Sequence, residues 1–229
     1  MQGLFFTGTD TGVGKTWIAT RAASHLSAQG VRVGAYKPAA SGSQDGRWAD
    51  VDLLHEAIGG GFPHERICPQ RFDLPLAPPD AARQEGREVD AELLRSGAHW
   101  WNGQVEMLIV EGVGGLLCPL TETETVAELA VDLGWPVVIV ARNALGTINH
   151  TLLTIDAARH RGLHIAGVVL NQPQPPDPMD RSVHTNALAI AGLGQVTILG
   201  QVQHGADDLL PPDATATIDW SQLAGEPPP

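Results

Sequence analysis

Near the amino terminus the chain reads Gly8-Thr9-Asp10-Thr11-Gly12-Val13-Gly14-Lys15-Thr16, an order of glycines, a lysine and a hydroxyl that suits a phosphate chain. Glycines leave room for backbone to wrap a phosphate, and the unpaired N–H groups of a helix start point at it. Lys15 brings a mobile positive charge to β- and γ-phosphates, and the Thr16 hydroxyl can reach Mg²⁺. The usual loop has four residues between its first Gly and the Gly-Lys pair. Here position 9 is Thr and the spacing is one residue longer. A bare Gly-rich turn is the competing reading. The intact Gly14-Lys15-Thr16, after an apolar run and before a helical pattern, argues for a nucleoside triphosphate site.

Other residues could serve the same chemistry. Lysine occurs only at Lys15 and Lys37, in a chain of 14 basic and 26 acidic residues with net charge −12. Lys37 follows a predicted strand over 31–36 and opens the loop Lys37-Pro38-Ala39-Ala40-Ser41-Gly42-Ser43. In an open parallel sheet, ligands bind at that carboxyl edge. Glu111 ends an apolar strand over 105–111 and precedes Gly112-Val113-Gly114-Gly115. A carboxylate there can hold Mg²⁺ directly or through water. Asp50 opens a short helix, as its N-cap or as a second carboxylate near the metal. The helix start at Gly146-Thr147-Ile148-Asn149 reads as an ordinary capped helix or an anion site. Asn171, after a strand over 165–170, reads alone as a polar turn residue.

The elements that must position these groups alternate. Strands are expected at 4–6, 31–36, 105–111, 136–141, 165–170 and 196–200. Helices are expected at 17–26, 50–58, from Asp90 to about 101, 125–133, from about 145 with Ile148, Leu152 and Ile155 inward, and 180–191. Such alternation predicts an α/β fold, a mainly parallel sheet flanked by helices. The Pro-rich stretch 62–83 is expected to be irregular, and residues 1–229 to form one domain whose tail frays from about 211. The acidic balance argues against nucleic acid and anionic membranes as partners. Cys68 and Cys118 are too few for a disulfide framework and read as small buried hydrophobes. With no basic leader or long apolar run, a cytoplasmic location is expected. The histidines form no HExxH, so no zinc site is assigned, and no Gly-x-Ser-x-Gly elbow is present.

The loop from Gly8 to Thr16, Tyr36-Lys37-Pro38-Ala39-Ala40-Ser41-Gly42 and Val110-Glu111-Gly112-Val113-Gly114-Gly115-Leu116, in this order, closely resemble dethiobiotin synthetase. This is a phosphate-loop family in which the extra loop residue is normal. Gln84-Glu85-Gly86, the helix start from Gly146 to Asn149, and Leu170-Asn171 extend the resemblance to about residue 200. It implies an ATP- and Mg²⁺-dependent ligase that carboxylates 7,8-diaminopelargonate with CO₂ and closes its ureido ring, in biotin synthesis. It implies Lys37, Lys15 and Thr11 as catalytic, and Thr16, Asp50 and Glu111 as metal ligands. The nucleotide would meet Gly12, Val13, Gly14, Lys15, Thr16, Trp17, Asp50, Glu111, Gly112, Val113, Gly114 and the base-recognising Asn171. The diamine would meet Thr11, Lys37 and Ser41, with its carboxylate on the partner subunit's Gly146-Thr147-Ile148-Asn149 in a homodimer.

This chain also departs from the family pattern. Asp52 competes with Asp50 for the metal position. Pro79 stands where the family often has His, and Gln203 where it often has Pro near the base. Partner-switching ATPases of the deviant phosphate-loop group carry a signature Lys where this chain has Asp10. Cobyrinate amidases need a glutaminase domain with a Cys nucleophile, for which no length remains.

Overall fold

In the computed structural model, residues Gln2–Gly8 form β1, buried from Gly3 onward, and run directly into the glycine-rich loop. The structure describes residues 1–175, 177–206 and 218–225. The loop ends at Gly14, whose φ of 93° lies in the left-handed region open to glycine. Helix α1, Lys15–Ala28, follows and buries Ile18, Ala19, Ala22, Ala23 and Leu26 on one face. That face is the one the four-residue spacing predicts.

The remaining strands are β2 (Val33–Tyr36), β3 (Ala39–Ser41), β4 (Gln70–Phe72), β5 (Met107–Glu111), β6 (Val137–Arg142), β7 (Ile165–Asn171) and β8 (Ile198–Val202). Six of them make one parallel sheet in the order β2-β5-β1-β6-β7-β8, and β3 pairs with β4 in a small second sheet. β1 and β5 are buried almost throughout, as apolar strands covered on both faces must be. Register puts Phe6 beside Glu111 and Tyr36 beside Val110, so the phosphate loop, Lys37 and Glu111 leave the sheet at one edge. Sequence pattern predicts this architecture, and the structure has it.

The other helices are α2 (Ala49–Ala57), α3 (His64–Ile67), α4 (Pro78–Gln84), α5 (Ala91–His99), α6 (Val126–Leu133), α7 (Thr147–His160), α8 (Asn186–Gly194) and α9 (Trp220–Leu223). Asp90 caps α5 by accepting from Leu93 N at 2.9 Å, as expected. Several expectations are corrected. Asp50 lies in the first turn of α2, whose N-cap is Trp48. The stretch 62–83 holds α3, β4 and the start of α4, because Pro63 is an N-cap and Pro78 begins a helix. On α7 the fully buried face is Thr147, Thr151, Ile155 and Ala158, with Ile148 and Leu152 only half-buried. The helix expected over 180–191 is a 3₁₀ turn, Ser182–His184, followed by α8. The tail expectation falls partly outside the described residues, but 218–225 do not fray. Trp220 is buried against Phe6 and Gly3 N donates to Gly225 O at 3.0 Å. Among the described residues, no helix is long and apolar enough to cross a membrane.

Candidate active site

Four polar side chains, from the ends of β2 and β5 and the first turns of α1 and α2, meet at the carboxyl edge of the sheet. Lys37, 4 % exposed, donates from Nζ to Glu111 Oε1 at 2.7 Å and lies 2.9 Å from Asp50 Oδ2. Thr16 Oγ1 donates to the same Glu111 oxygen at 2.8 Å. The second Glu111 oxygen, Oε2, is buried with no partner among the described residues. Lys15 Nζ reaches back to the carbonyl of Asp10 at 3.0 Å. These groups line one cavity of about 710 Å³ with Thr11, Gly12, Gly14, Trp17, Ser41, Val113 and Gly114. That volume lies in the range of small-ligand sites.

The electrostatics follow from burial against pairing. Desolvation alone would lower the Lys37 pKa, but Glu111 and Asp50 outweigh it and hold the ammonium above its usual range. Burial pushes the Glu111 carboxyl up, against the pull of Lys37. Asp50, half-exposed, is held below the usual carboxylate range: burial opposes this, and Lys37 and Thr16 prevail. Burial lowers the Lys15 pKa, with Glu111 opposing. The cavity therefore keeps a fixed cation between two acids. A buried pair of this kind is weak evidence of stability and better read as a device for handling charge.

Asp50 and Asp52 separate clearly. Asp50 faces the cavity, whereas Asp52 pairs with Arg47 at 2.8 Å and His64 at 3.2 Å. Two carboxylates and a hydroxyl, one carboxylate oxygen being unpartnered, fit Mg²⁺. That ion keeps several waters and shares its shell with phosphate oxygens instead of filling an all-protein cage. The donors are all oxygen, as a hard cation requires.

The family described as AAA domain matches residues 2–208. An ATP-dependent dethiobiotin synthetase BioD of Anaeromyxobacter dehalogenans (strain 2CP-C) is 51% identical over 84% of this chain and 86% of its own. The enzyme of that name from Bacillus subtilis (strain 168) is 42% identical over 87% of this chain and 86% of its own. The chain belongs to the dethiobiotin synthetase family. Membership makes it an enzyme of the ligase class. Among solved structures, the MinC:MinD cell division protein complex of Aquifex aeolicus is similar with TM-score 0.55 at 16% identity, over 89% of this chain and 82% of that one. Signal recognition particle receptor FtsY of Elizabethkingia anophelis gives 0.53 at 15%, over 87% of this chain and 57% of that one. This chain spans a little over half of the FtsY chain, and both likenesses concern the fold alone.

For a dethiobiotin synthetase, the expected residues divide into four groups. Thr11, Gly12, Gly14, Lys15, Thr16, Trp17, Lys37, Ser41, Asp50, Glu111, Val113 and Gly114 share the main cavity. Val13 and Gly112 support it from behind: Val13 is buried, and a Cβ at Gly112 would lie 2.9 Å from Val126. Gly146, Thr147, Ile148 and Asn149 do not line the cavity; Thr147 borders a smaller one of about 140 Å³ with Asp10, Val13 and Arg142. Asn171 is buried and bonded to the phosphate loop, its Nδ2 donating to Val13 O at 2.8 Å. Pro79 is buried in α4 and Gln203 is exposed beyond β8.

Sequence reasoning missed the apolar wall made by Leu53, Pro75, Leu76 and Ala77, and also Cys118. The apolar run Leu74-Pro75-Leu76-Ala77 within the Pro-rich stretch was the available signal; for Leu53, in α2, there was none, and Leu53 and Leu76 are 48% and 38% exposed in the structure. Cys68 is a buried hydrophobe as expected, but Cys118 is only half-buried and lines the cavity. Its thiol is pushed up by burial, with Lys15 opposing.

Proposed function

We propose that this chain carboxylates 7,8-diaminopelargonate with CO₂ and closes the ring to dethiobiotin, converting ATP to ADP and phosphate with Mg²⁺, in biotin biosynthesis. The observation that carries the reading is the Lys37–Glu111–Asp50–Thr16 cluster beside Lys15. Both lysines of an acidic chain are spent on one cavity.

The chemistry forms two anions in succession at that place. One amine attacks CO₂ and loses a proton, giving a carbamate. A carbamate oxygen then attacks the γ-phosphorus of ATP, the bond to ADP breaks, and a carbamic-phosphoric anhydride forms. The second amine attacks the carbonyl carbon, and phosphate leaves as the cyclic urea closes. Lys37 is kept protonated by its two acids, so it offers a fixed positive charge where the carbamate and the transferring phosphoryl group meet. Preorganised charge of this kind stabilises the transition state without reorganisation. Lys15, five residues from the carbonyl it touches, can swing onto the β- and γ-phosphates. Gly12 and Gly14 supply backbone N–H groups. Thr16, Asp50 and Glu111 would hold Mg²⁺, which would offset the negative charge of the phosphate chain. Thr11 and Ser41, on the cavity wall, suit the carbamate and the amines as hydroxyl partners.

The apolar wall of Leu53, Pro75 and Leu76 suits an aliphatic chain. A homodimer is the proposed assembly, in which a second copy's α7 start takes the substrate carboxylate. Leu145 and Leu153, 84% and 60% exposed on and before α7, support that reading as surface for a second copy to cover. The test is mass-spectrometric detection of dethiobiotin from purified protein, 7,8-diaminopelargonate, bicarbonate, Mg²⁺ and ATP, with each left out in turn and with CTP or GTP for ATP. Product is expected only from the complete mixture. ATP hydrolysis without product, whatever the nucleotide, would overturn the substrate assignment.

A further inference from the structure

The Asn171 side chain ends β7 only 4 % exposed, and its Nδ2 donates to the carbonyl of Val13 at 2.8 Å. Val13 lies between the two left-handed glycines of the loop, Gly12 with φ 70° and Gly14 with φ 93°. The Val13–Gly14 peptide is trans, so its C=O and N–H point in opposite directions. A group that captures the carbonyl on one side therefore aims the Gly14 N–H to the other, and Gly14 lines the main cavity. The fit is close enough to exclude a side chain: a Cβ on Gly14 would lie 2.0 Å from Asn171 Nδ2.

The backbone that carries this amide is itself held from behind. Asn143 N donates to Asn171 O at 2.7 Å. Asn186, 1 % exposed on α8, donates from Nδ2 to Asn143 Oδ1 at 2.9 Å and lies 3.3 Å from Ala144 O. Three buried asparagines from the ends of β6 and β7 and the start of α8 are thus linked, Asn186 to Asn143 through side chains and Asn143 to Asn171 through the backbone, and the Asn171 amide finishes the series on the phosphate loop. Buried amides with paired hydrogen bonds fix one arrangement of the backbone they touch.

We propose that Asn171 is a positioning residue for the phosphate chain, turning the Val13–Gly14 peptide so that the Gly14 N–H faces the cavity. This rests on the phosphate-loop reading above and adds to it a role independent of any nucleotide base. Loss of the amide leaves a buried carbonyl unpaired and frees the peptide to rotate.

The experiment measures Kd by calorimetry for Mg²⁺-tripolyphosphate, which has phosphates and no base, and for MgATP. It compares wild type with Asn171→Ala and with the near-isosteric Asn171→Leu, which fills the site if the alanine variant folds poorly. Binding is read well below each variant's unfolding transition. Both ligands should weaken by about the same factor, roughly tenfold, in both variants. Weakened MgATP with unchanged tripolyphosphate would overturn the proposal and make Asn171 a reader of the base alone. If wild type binds neither ligand, the phosphate-loop reading itself falls.

Discussion

At the scale of single residues, the site turns on one lysine held by two acids. Lys37→Ala would leave Glu111, 1 % exposed, without its cation. Breaking a buried pair from one side typically costs about 3–5 kcal/mol. Burial already pushes the Glu111 carboxyl up, so taking a proton there limits the loss. Turnover should fall about a thousandfold or more, with MgATP affinity changed far less, because the charge Lys37 meets arises during reaction. Near-normal turnover in a folded Lys37→Ala variant would remove Lys37 from the mechanism. Cys118 gives a second residue-level prediction. Its thiol pKa is raised, so at any given pH below it less thiolate is present than in a free cysteine. Iodoacetamide should therefore modify it slowly at neutral pH and faster as pH rises past the ordinary thiol range, read by peptide mass spectrometry. Reaction as fast at pH 7 as that of free cysteine would contradict this. Much of the site was legible because Lys15, Thr16 and Glu111 belong to patterns fixed by phosphate geometry, and because lysine is scarce. The choice between Asp50 and Asp52 was not, since two carboxylates two positions apart on a helix differ only in the direction they face. The inward chain of Asn143 and Asn186 had no sequence signal, as a buried asparagine is written like an exposed one.

At the scale of elements, local rules worked where a side chain speaks for the backbone. Thr125 accepts from Ala127 N at 3.2 Å and Glu128 accepts from Thr125 N at 2.7 Å, a capping box that opens α6 where sequence places it. Thr125→Ala should cost about 1 kcal/mol. For a domain of this size, that lowers the thermal midpoint by about 2–4 °C, measured by calorimetry. An unchanged midpoint would mean that the box contributes nothing beyond helix packing. The rules misled in the Pro-rich segment, because proline breaks a helix interior but suits its first turn. Pro63 and Pro78 occupy such starts. On α7 apolar spacing pointed to Ile148 and Leu152, but the tight fit against the sheet buries Thr147 and Thr151, whose hydroxyls lie 3.4 Å apart.

At the scale of the whole molecule, the parallel sheet was legible from buried apolar strands alternating with helices, and the docking of the far carboxyl-terminal segment was not. Trp220 sits 3% exposed with its ring 5.8 Å from that of Phe6 on β1, the strand that feeds the phosphate loop. Nothing near it in sequence marks that contact, because its partner is more than two hundred residues away. Trp220→Ala should cost about 3–5 kcal/mol by the cavity left behind. A thermal midpoint lowered by about 10 °C is the expected reading, and a shift within error would show that α9 is dispensable. The sheet and the helices α1 and α2 bring the charged groups of the site to one edge, and in the proposed function that placement joins ATP to carbon chemistry in a single cavity. The measurement that tests this most directly follows oxygen from ¹⁸O-labelled bicarbonate into products, sampled before exchange with water. If a carbamate oxygen attacks the γ-phosphorus, each released phosphate carries one labelled oxygen and the urea carbonyl carries another. Phosphate free of label, formed alongside labelled dethiobiotin, would contradict the phosphoryl transfer on which the account depends.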